Sequence, residues 1–220
     1  MILSKRGRFE GIHMMREPTI VCISDTHELH REVDVPYGDI LLHAGDFTMF
    51  SKDAAAILDF NEWLGELPHR HKIVVPGNHE FFLETDPAKR RLLSNAIVLI
   101  GESVKVLGLK IWGSPITPLY GGAFGRSSPA DRAELYASIP ADTNILVTHG
   151  PPHGILDNDS GCLRLREAVE LLKPQLHLFG HVHGAHGMVT GKDTVFVNAA
   201  LLGLSGGIEG TPVALRIPSR

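Results

Sequence analysis

Five short apolar, β-branched runs punctuate the chain: "TIVCIS" at 19–24, "DILLHAG" at 39–45, "KIVVPG" at 72–77, "NILVTH" at 144–149 and "HLFG" at 177–180. Such runs are continuous rather than alternating, which predicts strands buried on both faces. Between them, "KDAAAILDFNEWLGEL" (52–67), "PAKRRLLSN" (87–95), "SPADRAELYASI" (128–139) and "CLRLREAVELLK" (162–173) space their apolar residues as helices do. Ser128 followed by Pro129 marks a helix start. Strands alternating with helices predict parallel β-α-β units, whereas "SVKVLGLKIWGS" (103–114), "TVFVNAA" and "PVALRI" predict antiparallel additions. The expected fold class is therefore mixed α/β, with two sheets or one large sheet. No internal repeat interrupts it, and the Gly/Pro-rich stretch 115–131 reads as a long loop, either functional or a plain surface connection.

Chemistry-bearing residues follow these strands in order. The first run leads into Asp25-Thr26-His27, the second into Asp46, the third into Asn78-His79-Glu80, the fourth ends on His149, and the fifth leads into His181-Val182-His183. Parallel strands joined by right-handed crossovers bring their carboxyl ends to one edge of a sheet, where open α/β folds bind ligands. Each group alone has a plain reading as a turn or helix cap. Their succession at five strand ends points instead to one cluster, and two histidines spaced by one residue in an extended segment project to the same side. His177 lies inside an apolar run and is expected in the core. His30, His43, His69, His71 and His153 lack motif partners and read as surface or structural residues. Glu80 is expected to support the cluster from behind, and Asn198 fits either a structural hydrogen bond or a pocket lining.

Composition narrows the function classes. The chain has 220 residues, a formal net charge of −4, 43% hydrophobic and 21% charged residues, which fits one globular unit and offers no basic surface for nucleic acid. Residues 1–18 are expected to form an N-terminal tail and 19–220 a single domain. Met14 or Met15 could serve as an alternative start. The opening segment has no apolar stretch typical of a secretory signal or membrane anchor, so a cytoplasmic location is expected. Cys22 and Cys162 are the only cysteines, which disfavours a disulfide framework and a thiolate metal site.

The blocks D-x-H, G-D, G-N-H-E, a later H, and G-H-x-H appear here as Asp25-Thr26-His27, Gly45-Asp46, Gly77-Asn78-His79-Glu80, His149 and Gly180-His181-Val182-His183. Together they resemble the calcineurin-like metallophosphoesterase superfamily. The phrases "DVPYGDILLHAGDFT", "FNEWLGELPH" and "FGHVHG" further resemble its metallophosphoesterase domain-containing subgroup. That resemblance implies a β-sandwich of two mixed sheets flanked by helices, two divalent metal ions, and phosphoester hydrolysis by a metal-bridging hydroxide. It implies that Asp25, His27, Asp46 and His183 hold one ion and Asp46, Asn78, His149 and His181 the other, with Asp46 bridging. His79 inherits the role of general acid toward the leaving alkoxide. Manganese is the expected ion, with iron, zinc or nickel as alternatives suited to imidazole and oxygen donors.

The resemblance also narrows the substrate. Related protein phosphatases carry G-D-x-V-D-R-G, whereas this chain reads Gly45-Asp46-Phe47-Thr48-Met49-Phe50, without the arginine that grips a phosphomonoester. Small phosphodiesters such as cyclic nucleotides are the expected substrates, with monoester hydrolysis, nuclease activity or a non-catalytic scaffold as alternatives. No membrane and no strong nucleic-acid partner is expected. Phe47, Tyr120 or Phe124 would be the aromatic side chains available to stack on a base, unless they pack in the core. Where subgroup members have H-E-G-Y-G, this chain has His183-Gly184-Ala185-His186-Gly187.

Overall fold

The computed structural model describes residues 17–51, 53–118 and 121–218. The expected tail falls outside this range except for its last two residues, as do His13, Met14, Met15 and Tyr120. Among the described residues, eleven strands form two sheets. The first contains β1 (Thr19–Ile23), β2 (Ile40–His43), β3 (His71–Val74), β4 (Ile97–Val98) and β11 (Val213–Arg216), in the order β11-β1-β2-β3-β4. The second contains β5 (Glu102–Val106), β6 (Leu109–Ser114), β7 (Ile145–Thr148), β8 (Leu176–Phe179), β9 (Gly187–Thr190) and β10 (Val195–Asn198), in the order β5-β6-β7-β8-β10-β9. Within the first sheet β1 to β4 pair in parallel and β11 pairs antiparallel with β1. In the second, β6-β7-β8-β10 is parallel and the hairpin partners β5 and β9 are antiparallel. The expectation of two mixed sheets flanked by helices is met.

The period of two along each strand explains the layering, because alternate side chains point to opposite faces. Ile20 and Cys22 of β1, Ile40 and Leu42 of β2, and Ile73 of β3 share one cluster with Ile111, Ile145, Val147, Leu176, Leu178 and Val197 of the other sheet. This is the core between the sheets. The intervening residues Val21, Ile23, Leu41 and Val74 point the other way and pack with Ile57, Phe60, Trp63 and Leu64 of α1 (Ala55–Glu66). Their helical spacing puts one stripe of α1 on the sheet, and each fully buried side chain of this size contributes roughly 1.5–3 kcal/mol. On the far side, Trp112, Leu146, Phe179 and Phe196 pack with Tyr136 of α3 (Pro129–Ala137) and Leu165 and Val169 of α4 (Leu163–Leu172).

Local signals set the helix ends. The Ser128 hydroxyl accepts the Asp131 N–H at 3.3 Å, and Pro129 occupies the first turn of α3. Helix α4 stops at Lys173, which takes a left-handed conformation (φ 52°) before Pro174. The predicted helix at 87–95 is instead a 3-10 segment, Pro87–Leu92, started by Asp86 accepting the Ala88 N–H at 2.8 Å. A one-turn helix, α2 (Phe81–Glu84), and strands β4 and β9 were not expected from the pattern. Strand β10, expected as an antiparallel addition, lies parallel to β8 and antiparallel only to β9.

Candidate metal centre

The strand ends converge as the topology requires. Asp25 and His27 follow β1, Asp46 follows β2, Asn78 and His79 follow β3, His149 follows β7, and His181 and His183 follow β8. The first sheet thus contributes the first five and the second sheet the last three. Donor atoms of Asp25, His27 and His183 lie within 4.8 Å of one another, as do those of Asp46, His149 and His181, and those of His27, Asp46 and His79.

Asp46 sits at the centre. Its Oδ2 is 3.2 Å from His149 Nε2 and 3.8 Å from both His27 Nε2 and His79 Nε2. Asn78 Oδ1 lies 2.8 Å from His149 Nε2. On the other side, Asp25 Oδ1 is 3.4 Å from His183 Nε2 and 3.9 Å from His27 Nε2. All seven sequence-predicted donors therefore meet in one place, and His79 stands beside them.

Second contacts orient the rings. His149 Nδ1–H donates to the Ala44 carbonyl at 2.8 Å and His27 Nδ1–H to the Thr48 carbonyl at 3.3 Å, so each Nε2 faces the cluster. The Asp25 carboxylate accepts the His181 N–H at 2.9 and 3.1 Å, and Asp46 Oδ1 accepts the His79 N–H at 2.9 Å. Glu80 is buried behind the cluster and binds its loops together. One of its oxygens accepts the N–H groups of Asp46 (3.0 Å) and Gly77 (2.5 Å), while the other accepts the N–H and hydroxyl of Thr48 at 3.0 and 2.9 Å. The supporting role expected of Glu80 is the one it occupies.

Two glycines are needed for close approach. A Cβ at Gly77 would overlap Asp46 Oδ1, and one at Gly180 would overlap Asp25 Oδ2. The backbone is strained at four of the donors: Asp25, His27, Asp46 and His181 have φ values of 54°, 40°, 54° and 68°. Non-glycine residues rarely adopt this left-handed region, and such outliers gather at functional sites.

The electrostatics fit a cationic occupant. Asp25 and Asp46 are almost wholly buried, and among the described residues their ion-pair partners are all histidines. Burial disfavours a charged His149, yet the Asp46 and Asp25 carboxylates outweigh it and push its pKa up to about 9. A proton there compensates the carboxylate charge that a metal would compensate. Burial, then the neighbouring charge of His149, holds His181 down to about 4. Four imidazoles, two carboxylates and an amide oxygen, with no thiolate, suit two divalent transition ions.

Burial sorts the remaining candidates. His177 is fully buried, with Nε2 2.9 Å from the Thr148 hydroxyl. His43 is also buried and bonds Thr26 at 3.2 Å, His30 approaches Asp59 at 3.1 Å, and His69 bonds the Pro36 carbonyl at 3.0 Å. His71 is half-buried, and the more exposed His153 lies 3.7 Å from Asp157. Asn198 donates to the carbonyls of Leu156 and Val182, both at 3.1 Å, which makes it structural. His186 pairs with the Thr211 backbone in a side cavity that also touches His183. Phe47 stacks on Phe60 in the core and Phe124 is buried, so neither is offered to a ligand. The residue missed in the sequence is Phe50, whose ring stacks on His79 with centroids 3.9 Å apart.

Residues 18–185 match the calcineurin-like phosphoesterase family model. The chain belongs to the calcineurin-like phosphoesterase family. Metallophosphoesterase domain-containing protein 1 of Homo sapiens is 35% identical over 259 residues, covering 97% of this chain and 79% of that protein. A UPF0046 protein of Caenorhabditis elegans is 38% identical over 220 residues, covering 91% of this chain and 76% of its own. The calcineurin-like fold is also shared with the crystal structure of TT1561 of Thermus thermophilus, at a TM-score of 0.62 and 13% identity, over 84% of this chain and 92% of that one. Membership makes this calcineurin-like phosphoesterase a metal-dependent phosphoester hydrolase by class. Among its described residues no helix is long and apolar enough to cross a membrane.

Proposed function

We propose that the protein is a phosphodiesterase for small diesters, cyclic nucleotides included, working with two manganese ions. Asp25, His27, Asp46 and His183 would hold one ion and Asp46, Asn78, His149 and His181 the other. The observation that carries this reading is the position of Asp46, whose one oxygen faces three imidazole nitrogens within 3.8 Å. Such a carboxylate can be shared between two cations. Two bound ions supply net positive charge for the phosphoryl oxygens and acidify water from a pKa of 15.7 towards about 7.

The chain's own residues do the rest. Glu80 fixes the loops that carry Asp46 and Asn78, so the phosphoryl group would meet a preorganised set of donors. His79 and His183 keep 16% and 25% of their side chains accessible, whereas Asp25, His27 and His149 keep 1% or less. The exposed edge of the centre is therefore where an ester would arrive, and His79 can give its proton to the departing alkoxide there. Thr48, Met49 and Phe50 stand where a monoester-gripping arginine would be needed, which favours a diester with its single ionisable oxygen. No broad positive charge draws in nucleic acid, and a cytoplasmic setting suits a chain with two unpaired cysteines.

The test is hydrolysis of bis-p-nitrophenyl phosphate beside p-nitrophenyl phosphate, with Mn²⁺ and with chelator. Faster turnover of the diester, lost in chelator, is expected. Preference for the monoester, or inactivity toward both, overturns the proposal.

A further inference from the structure

Phe50 is apolar, half-exposed and held in place. Its side of the loop is gripped by two carboxylates, since Glu80 accepts the Thr48 N–H at 3.0 Å and Glu28 accepts the Met49 N–H at 2.8 Å. Phe50 itself then turns left-handed, with φ 54°. That conformation is unfavourable for a bulky side chain and, unlike a core placement, leaves the residue 52% exposed beside Met49 at 47%. One face of the ring lies on His79, at 3.9 Å and 23° between planes. Phe50 and Met49 line an open cavity of about 680 Å³ whose remaining wall includes Glu28, Asp53 and Asp59.

We propose that Phe50, with Met49, is a specificity surface on the leaving-group side of the ester, favouring an uncharged, flat aryl or heteroaryl ring there, whether that ring is the departing alcohol itself or is carried by it. The inference rests on the reading of His79 as the proton donor, because the departing oxygen must come to that ring and the group it carries must then lie along its neighbour. An aromatic face favours a second flat ring in offset or edge contact, and Met49 adds an adaptable thioether. Asp59 is paired with Arg31 at 3.1 Å, which leaves Glu28 and Asp53 as the carboxylates of the wall that disfavour a leaving group carrying further phosphates. A nucleic-acid strand is such a group, so the same surface that welcomes a small aromatic alcohol excludes a polymer.

Calorimetry of benzylphosphonate and propylphosphonate on the manganese-loaded protein tests this, since the probes share an anionic head and contain no ester bond. The unaltered protein is expected to prefer benzylphosphonate by about three- to tenfold, the scale of one aromatic pair. Phe50→Ala should bring that ratio close to unity. Phe50→Leu, which keeps apolar bulk without an aromatic face, should do the same and serves where the alanine variant melts early. A ratio that survives both substitutions, or failure of benzylphosphonate to bind, overturns the proposal. Cleavage of bis-p-nitrophenyl phosphate is scored separately: a protein that discriminates the phosphonates through Phe50 but cleaves no ester refutes the catalytic reading and leaves this surface standing.

Discussion

The Nε2 atoms of His27 and His183 face each other across 3.2 Å, although 156 positions separate them in the chain. Two imidazole lone pairs cannot be aimed at one point without something between them. A shared proton satisfies that geometry, and so does a cation also bound by Asp25, whose carboxylate lies 3.4 Å from His183.

Metal loading should therefore stabilise the fold. At free Mn²⁺ about 100 times its dissociation constant, the gain is expected to be about 2.7 kcal/mol, removed by chelator. His183→Ala should lower the bound metal from about two ions per chain towards one and reduce the gain, as read by metal analysis and thermal melting. An unchanged metal content in that variant would refute the assignment.

His79→Ala should separate chemistry from binding. Its backbone N–H still holds Asp46 Oδ1, so metal content and melting temperature are expected to stay near those of the parent. Turnover of an ester with a poor leaving group should fall by about 10² to 10⁴. A smaller loss for p-nitrophenolate, which departs without help, would identify the missing function as proton donation.

Glu80→Gln probes the scaffold behind the centre. The carboxylate accepts four N–H and O–H donors, and an amide there would turn its own donors against two of them. Each unsatisfied buried group costs roughly 1–3 kcal/mol. Denaturant unfolding should show a loss on this scale, accompanied by metal affinity about 10- to 100-fold weaker.

Acid stability should report on buried histidine. Burial pushes the pKa of His177 down to about 3 from 6.5, and its Nδ1 has no hydrogen-bond partner in the core. The folded state thus refuses a proton that the unfolded chain accepts below about 6.5. The contribution of His177 to stability is complete above that value and is lost progressively as pH falls towards 3, by up to about 1.4 kcal/mol per unit. His177→Phe should flatten this acid limb in denaturant titrations between about pH 7 and pH 4.

Residue type and order made the site readable before its geometry was known. Polar donors such as Asp25 and His149 each have a plain reading alone, but their succession where five apolar runs stop does not, and parallel pairing leaves little freedom in where they meet. The backbone conformations were not readable. Phe47 and Phe50 look alike in sequence, yet one continues into the core against Phe60 and the other is turned outward by a left-handed φ of 54°. Strand β9 was hidden because three of its four residues are exposed and give no apolar stripe. In the 87–95 segment Ala88 and Leu92 stand four apart, which mimics helical spacing, although the structure forms only a short 3-10 segment there.

Asp25 is fixed from behind by residues far downstream: Leu201 donates to the Ser24 carbonyl at 2.9 Å, Leu202 to that of Asp25 at 3.1 Å, and β11 borders β1. During synthesis every donor has been translated once His183 is made, but the segments that anchor the first of them have not. On the proposed ligand assignment, the growing polypeptide should remain without its half-site around Asp25 until those later segments emerge, which would disfavour early metal capture on the ribosome.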